Sequence, residues 1–158
     1  MPPVFSKAFA DSLNDLCPFH VKEAENGDVV LANHVYIAPG GLQMGVEDNG
    51  GRLTIVLKDS DPVNRFKPSV DYLFQTVAKL KRKKIVAGIL TGMGKDGAQG
   101  LLALQKIGAQ TFAQNEETCA VYGMPRAAFE IGATDRLLHI DEIAKELITQ
   151  STGVRKAS

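Results

Sequence analysis

The chain has 158 residues, 44% apolar and 23% charged, as in an ordinary globular domain with a single core. Lys plus Arg number 18 and Asp plus Glu 18, so no net field favours nucleic acid or an anionic membrane. No apolar run approaches the roughly 20 residues needed to cross a bilayer, and Met1-Pro2-Pro3-Val4 lacks the basic and apolar regions of a signal peptide.

Phe5, Phe9, Leu13 and Leu16 recur at helical spacing, which predicts an amphipathic helix over 4–16 stopped by Pro18. Val29 to Ala38 is rich in β-branched residues and closes at Pro39-Gly40-Gly41, which predicts extended structure and a turn. Asp48-Asn49-Gly50-Gly51 separates runs at Met44–Glu47 and Leu53–Lys58, a hairpin signal. Val70, Leu73, Phe74, Val77 and Leu80 mark a second helix with Ser69 as N-cap. Lys79-Leu80-Lys81-Arg82-Lys83-Lys84 then reads as its solvated, cationic end.

Ile85–Leu90 is a short continuous apolar run, the mark of a strand buried on both faces. A glycine loop leads from it into a helix over 97–107 ending at Gly108. Thr111–Gln114 predicts a strand, 125–131 a helix, Arg136–His139 a short strand, and Ile140–Ile148 a closing helix. Strand and helix alternating through short connections imply crossover units and a parallel sheet. The polar tail, 150–158, is expected to fray, and no linker or repeat divides the chain before it.

Cys17 and Cys119 lie far apart without ligand spacing, as expected of core thiols in a reducing cytoplasm. His20, His34 and His139 are scattered, with no pair on one helical face, so spacing supports no metal site.

Thr91-Gly92-Met93-Gly94-Lys95-Asp96-Gly97 carries the chemistry, at the carboxyl edge of a strand, where sites form in open α/β sheets. Gly92, Gly94 and Gly97 satisfy the dinucleotide fingerprint, with Glu116 and Glu117 about 20 residues on. Against this reading, Asp96 would set a carboxylate beside a pyrophosphate, and more than half the chain precedes the loop. The Walker A pattern fails, since Ile89 replaces its first glycine and Asp96 its Ser/Thr. The alternative makes Asp96 a buried carboxylate that orients an imidazole, with loop N–H groups serving an oxyanion. Asp96 as a simple helix N-cap is the bland third option.

Ile89 to Gly97 resembles the signature loop of the bacterial chemotaxis protein-glutamate methylesterases. Other segments match that family in order: Met1-Pro2-Pro3 with Phe5 to Ala10, Tyr36 to Gly40, Pro62-Val63-Asn64-Arg65, and Pro68 to Asp71. Ala113 to Glu116 and Gly123-Met124-Pro125 follow, so the resemblance covers the chain to about Leu147. It implies a three-layer, doubly wound, mostly parallel α/β domain over 1–149 with a small β-hairpin insertion. It further implies a cytoplasmic carboxylic-ester hydrolase acting on glutamate methyl esters of chemoreceptor helices, and deamidating glutamine there, by a Ser-His-Asp mechanism without cofactor or metal. Asp96 matches the triad Asp, and Met93, between Gly92 and Gly94, the residue whose N–H faces the oxyanion. Asn64 and Arg65 match a stretch near the cleft, with a surface ion pair the blander role for Arg65.

The family's serine turn, of the form G-x-S-x-G-G, has no counterpart here, and its histidine directly precedes the methionine that matches Met1. The expectation is therefore a domain lacking its first strands, the Ser and the His, together with the receiver domain that precedes the family's catalytic domain. The pattern elsewhere shows no decay, which points to a shortened reading frame. The 158 residues alone are expected to be almost inactive, and the lost strand to leave backbone and apolar faces exposed. The runner-up is a non-catalytic α/β module, a nucleotide binder using the glycine loop or a receptor-docking remnant. Neither reading implies nucleic-acid binding or membrane insertion.

Overall fold

The computed structural model describes residues 3–80 and 84–152. The chain forms two compact units divided after Leu80, where the sequence alone shows no boundary.

The first unit contains α1 (Pro3–Leu16), β1 (His20–Glu23), β2 (His34–Ile37), β3 (Gln43–Asn49), β4 (Arg52–Lys58) and α2 (Val70–Val77). Helix α1 forms where its periodicity predicts, but turns the other face inward. Phe5 and Phe9 are exposed, and the buried positions are Ser6 and Ala10. Small side chains let α1 approach β1 closely, a choice of face that periodicity does not encode. Ser6 Oγ accepts from the Gly40 N–H at 2.9 Å and donates to Glu23 at 2.5 Å. Asn14, on the last turn, accepts from the Val21 N–H at 2.8 Å and so caps the strand edge.

Strands β1 and β2 are parallel, with His20 opposite His34 and Glu23 opposite Ile37. The sequence shows no signal for β1, because His-Val-Lys-Glu has a single β-branched residue. The run from Val29 to Ala38 is broken at Asn33, which takes a left-handed φ of 59°. Val29 and Val30 pair with β4, and only His34–Ile37 joins β1.

The β3–β4 hairpin closes at Gly50 and Gly51, with φ of 65° and 93°, values a two-residue turn requires and glycine supplies without strain. Met44 and Ile55 pack with Ala24 in the core, with Tyr36, Leu57 and Leu73 against it. Helix α2 lies tight on β3: a Cβ at Gly45 would come within 2.9 Å of Thr76, whose hydroxyl accepts from the Val46 N–H at 3.0 Å. Ser69 is its N-cap, accepting from Tyr72, as expected. The helix ends at Val77, three residues early, because Lys79 and Leu80 bond back three residues and tighten the chain out of the helix. Lys79 therefore follows the helix rather than ending it, and 81–83 of the basic run lie outside the described residues.

The second unit contains β5 (Val86–Ile89), α3 (Ala98–Lys106), β6 (Gln110–Gln114), α4 (Met124–Glu130), β7 (Leu137–Leu138) and α5 (Ile140–Thr152). Its three strands are parallel in the order β5-β6-β7, with one helix in each of the two crossovers, as the alternation implies. The Phe112 ring on β6 lies over Gly88 on β5, where a Cβ would come within 2.2 Å of it. Helices α3 and α4 end alike. Gly108 and Gly132 take positive φ, and Ala109 and Ala133 bond back to Leu104 and Ala128, which satisfies the last carbonyls.

Helix α5 runs past Ile148 to Thr152, so the start of the expected tail is helical, and 153–158 lie outside the described residues. Arg136 clips α5 to the segment before β7 through Glu146, at 2.5 Å. Among the described residues, no helix is long and apolar enough to cross a membrane.

Candidate active site

The loop from Thr91 to Gly97 leaves the carboxyl end of β5 and enters α3. Gly94 and Gly97 take φ of 95° and 91°, a region in which side chains are strained. Gly97 occupies the N-cap of α3, which rules out Asp96 as that cap. Asp96, immediately before it, is only 4% exposed. A carboxylate so buried is tolerated only where its charge is answered. Met93 is 79% exposed at the tip of the loop. Among the described residues, no backbone carbonyl accepts its N–H.

A second loop, from Asn115 to Gly123, holds the first in place. The Gly92 N–H donates to Val121 at 3.1 Å, and the Gly92 carbonyl accepts from Gly123 at 3.2 Å and Met124 at 2.8 Å. Thr91 Oγ1 accepts from the Val121 N–H at 2.9 Å. Gln114, at the end of β6 and 2% exposed, accepts from the Thr91 N–H at 2.8 Å. Its amide nitrogen donates to the Thr118 carbonyl at 2.7 Å. One buried amide thus ties both loops to the sheet. At two glycines the space is filled: a Cβ on Gly92 would strike Met124 Sδ at 2.5 Å, and one on Gly123 would strike the Gly92 carbonyl at 2.7 Å.

The nearby thiol and phenol stay neutral. Burial pushes the Cys119 thiol up, which outweighs its hydrogen bond to Thr91, and Glu116 adds to the rise. Burial, then Glu116, likewise raises the Tyr122 phenol. Cys119 therefore has the character of a thiol and not of a nucleophilic thiolate. Both cysteines are free and half-buried, where the sequence reading has core thiols.

Asn64 and Arg65 stand on a turn of the first unit, with φ of 52° and 71°. Val63 and Phe66 exchange both backbone hydrogen bonds across it, at 2.8 and 3.1 Å. Asn64 donates to the buried Asp71 at 2.6 Å. Gln43, fully buried, supports the turn from beneath: it donates to the Phe66 carbonyl at 3.1 Å and accepts from the Ser69 N–H at 2.8 Å. Two consecutive non-glycine residues at positive φ are costly. Arg65 is exposed, and among the described residues it has no ion pair.

The structure therefore places Gly92, Met93, Gly94 and Asp96 in one pinned loop, and Asn64 and Arg65 together on a separate supported turn. Sequence reasoning missed Gln114, Gly123 and Gln43 as the residues that hold these loops. A glutamine ending an apolar strand was the available signal at Gln114.

Residues 1–147 match the family model of the CheB methylesterases. A protein-glutamate methylesterase/protein-glutamine glutaminase of Pectobacterium atrosepticum is 47% identical over 150 residues, 95% of this chain. The proteins of the same name from Bdellovibrio bacteriovorus and Escherichia coli K12 are 47% and 46% identical over the same share. The chain spans 42–43% of the length of these curated relatives. A crystal structure of the Thermotoga maritima CheB methylesterase catalytic domain superposes with a TM-score of 0.90 at 39% identity, covering 94% of this chain and 78% of that one. Through the loop around Asp96, the pattern of its matches and its α/β architecture, the chain belongs to the CheB methylesterase family.

Proposed function

We propose that this chain carries the acidic member and the oxyanion-side loop of a protein-glutamate methylesterase, acting in the cytoplasm on glutamate methyl esters of chemoreceptor helices. The observation that carries the reading is Asp96, buried at the carboxyl edge of β5 inside a loop pinned by Gln114 and Gly123. In this chemistry a serine Oγ attacks the ester carbonyl and a histidine takes its proton. Asp96 orients that imidazole and stabilises its cation, while the Met93 N–H faces the oxyanion. The imidazolium returns the proton to the departing methanol, and water repeats the sequence to free the glutamate. With a glutamine amide in place of the ester, ammonia departs instead. Arg65 serves the substrate side, with Asn64 fixing the turn on which it stands.

The serines of α1 are poor nucleophiles: Ser6 is fully buried and doubly bonded, and Ser12 donates to the Ala8 carbonyl. The 158 residues by themselves are therefore proposed to be inactive, since loss of triad members costs about 10⁴ to 10⁶ in rate.

The test joins this chain to the preceding segment of the Escherichia coli relative and measures methanol release from methylated receptor. The chimaera should turn over, and Asp96→Asn should lower its kcat by about 10³–10⁴ with little change in melting temperature. Unchanged turnover in Asp96→Asn, or normal turnover by the 158 residues alone, would overturn the reading. A nucleotide-binding module would instead show a melting temperature raised by dinucleotide, which this reading does not expect.

A further inference from the structure

His20 and His34 are 14 positions apart in sequence but directly opposite in the β1–β2 register. Paired residues of neighbouring strands leave the sheet on the same face, so the two rings are neighbours. Their centroids are 5.0 Å apart, with planes inclined by 64°. Two imidazoles each about 2.0–2.1 Å from a tetrahedral ion place their ring centres about 5 Å apart. The observed separation is compatible with a shared metal, as it is with edge packing of two rings.

The orientation of His34 is also that of a ligand. Its Nδ1 lies 2.9 Å from the Ala32 carbonyl, and since a carbonyl only accepts, Nδ1 carries the hydrogen. That leaves Nε2 with its lone pair for a metal, and a backbone carbonyl behind the other nitrogen is the usual support of a metal-binding histidine. Tyr36 stacks on the ring, with centroids 6.1 Å apart and planes inclined by 20°. The Tyr36 hydroxyl is in turn anchored to the Val29 carbonyl at 2.7 Å. The His20 N–H bonds to the Asn33 carbonyl at 3.1 Å, so the backbone beneath both rings is joined. His20 is exposed, which gives an ion an open path.

We propose that His20 and His34 form a binding site for one borderline divalent cation of the zinc, nickel or copper class. Imidazole favours these ions over magnesium and calcium, which require oxygen. Among the described residues, no third His, Cys, Asp or Glu joins the pair into a larger cluster, so water completes the coordination. The site lies at the amino ends of β1 and β2, whereas α/β sheets gather catalytic groups at the carboxyl ends. It clips two strands together and takes no part in ester hydrolysis.

Calorimetric titration of the intact protein with zinc chloride tests this, alongside melting curves with and without the ion. One ion should bind per chain and raise the melting temperature, and magnesium should do neither. His20→Ala, at an exposed position, should weaken zinc binding about tenfold or more while leaving the metal-free melting temperature unchanged. His34→Ala should do the same to binding, and the double variant should lose the zinc-induced shift. Cys17→Ser should bind as the wild type does. Undiminished zinc binding in the double variant, no binding by the wild type, or loss of binding in Cys17→Ser would each overturn the site.

Discussion

Gly123 sits against Gly92 so closely that no side chain fits between them. Its N–H donates to the Gly92 carbonyl at 3.2 Å, and a Cβ on Gly123 would lie 2.7 Å from that same oxygen. The oxygen is backbone and cannot swing aside. The loop that presents Met93 is thereby positioned by a residue about thirty places further along the chain.

Gly123→Ala should push the Gly92–Gly94 segment off its position. The expected cost is about 1–3 kcal/mol in denaturant unfolding, typical of inserting a methyl into a filled space. Turnover of the chimaera should fall further than stability predicts, because a donor aimed at an oxyanion acts only at the right distance. An unaltered kcat in a folded Gly123→Ala protein would show that the loop's position does not matter.

Gln114→Leu removes the acceptor for the Thr91 N–H and the donor to the Thr118 carbonyl at once. Those groups would lose their partners in a half-buried setting, at about 1–2 kcal/mol each. Urea unfolding should register a loss of about 2–4 kcal/mol. Gln114→Glu keeps the acceptor but buries a carboxylate against the Thr118 carbonyl, so it should lose at least as much.

Arg65→Gly separates backbone strain from function. A left-handed conformation costs a non-glycine residue roughly 1–2 kcal/mol, partly offset by the greater unfolded-state freedom of glycine. The variant should be as stable as the wild type or more stable by up to about 1 kcal/mol, as read from its melting curve. If Arg65 serves the substrate side, KM for receptor should rise in the chimaera all the same. A stable variant with unchanged kinetics would remove Arg65 from the substrate site.

Acid should loosen α5. Arg136 first, and Gln150 after it, hold the Glu146 carboxyl below its ordinary value. A carboxyl whose folded value is depressed contributes stability above its unfolded value, about pH 4.3. That contribution is lost as pH falls through the folded value, because protonation then favours the unfolded chain. Arg136→Gln should reduce stability near neutral pH by about 0.5–1 kcal/mol, as expected of a partly exposed pair. The difference between variant and wild type should shrink in melts taken progressively below the ordinary carboxylate range. A constant difference at every pH would mean that Arg136 acts through packing and not through charge.

The sequence by itself determined most of the elements. Periodicity located α1 and α2, the glycine loop and Gly108 bracketed α3, paired glycines located the hairpin turn, and a continuous apolar run located β5, because these signals depend on neighbours a few residues away. The ordered motifs likewise determined the family and singled out the loop around Asp96. Only the tertiary structure decided which face of α1 is buried, that Asn33 splits an apparent strand, and that Asp96 precedes the cap of α3 rather than forming it. The same holds for the supports of the loops. Gln114, Gly123 and Gln43 act through hydrogen bonds and close approaches across 20 to 30 residues, and the pairing of His20 with His34 arises only when β1 and β2 align. Local propensity carries no record of such contacts, because they exist only once the chain has brought distant residues to hydrogen-bonding distance.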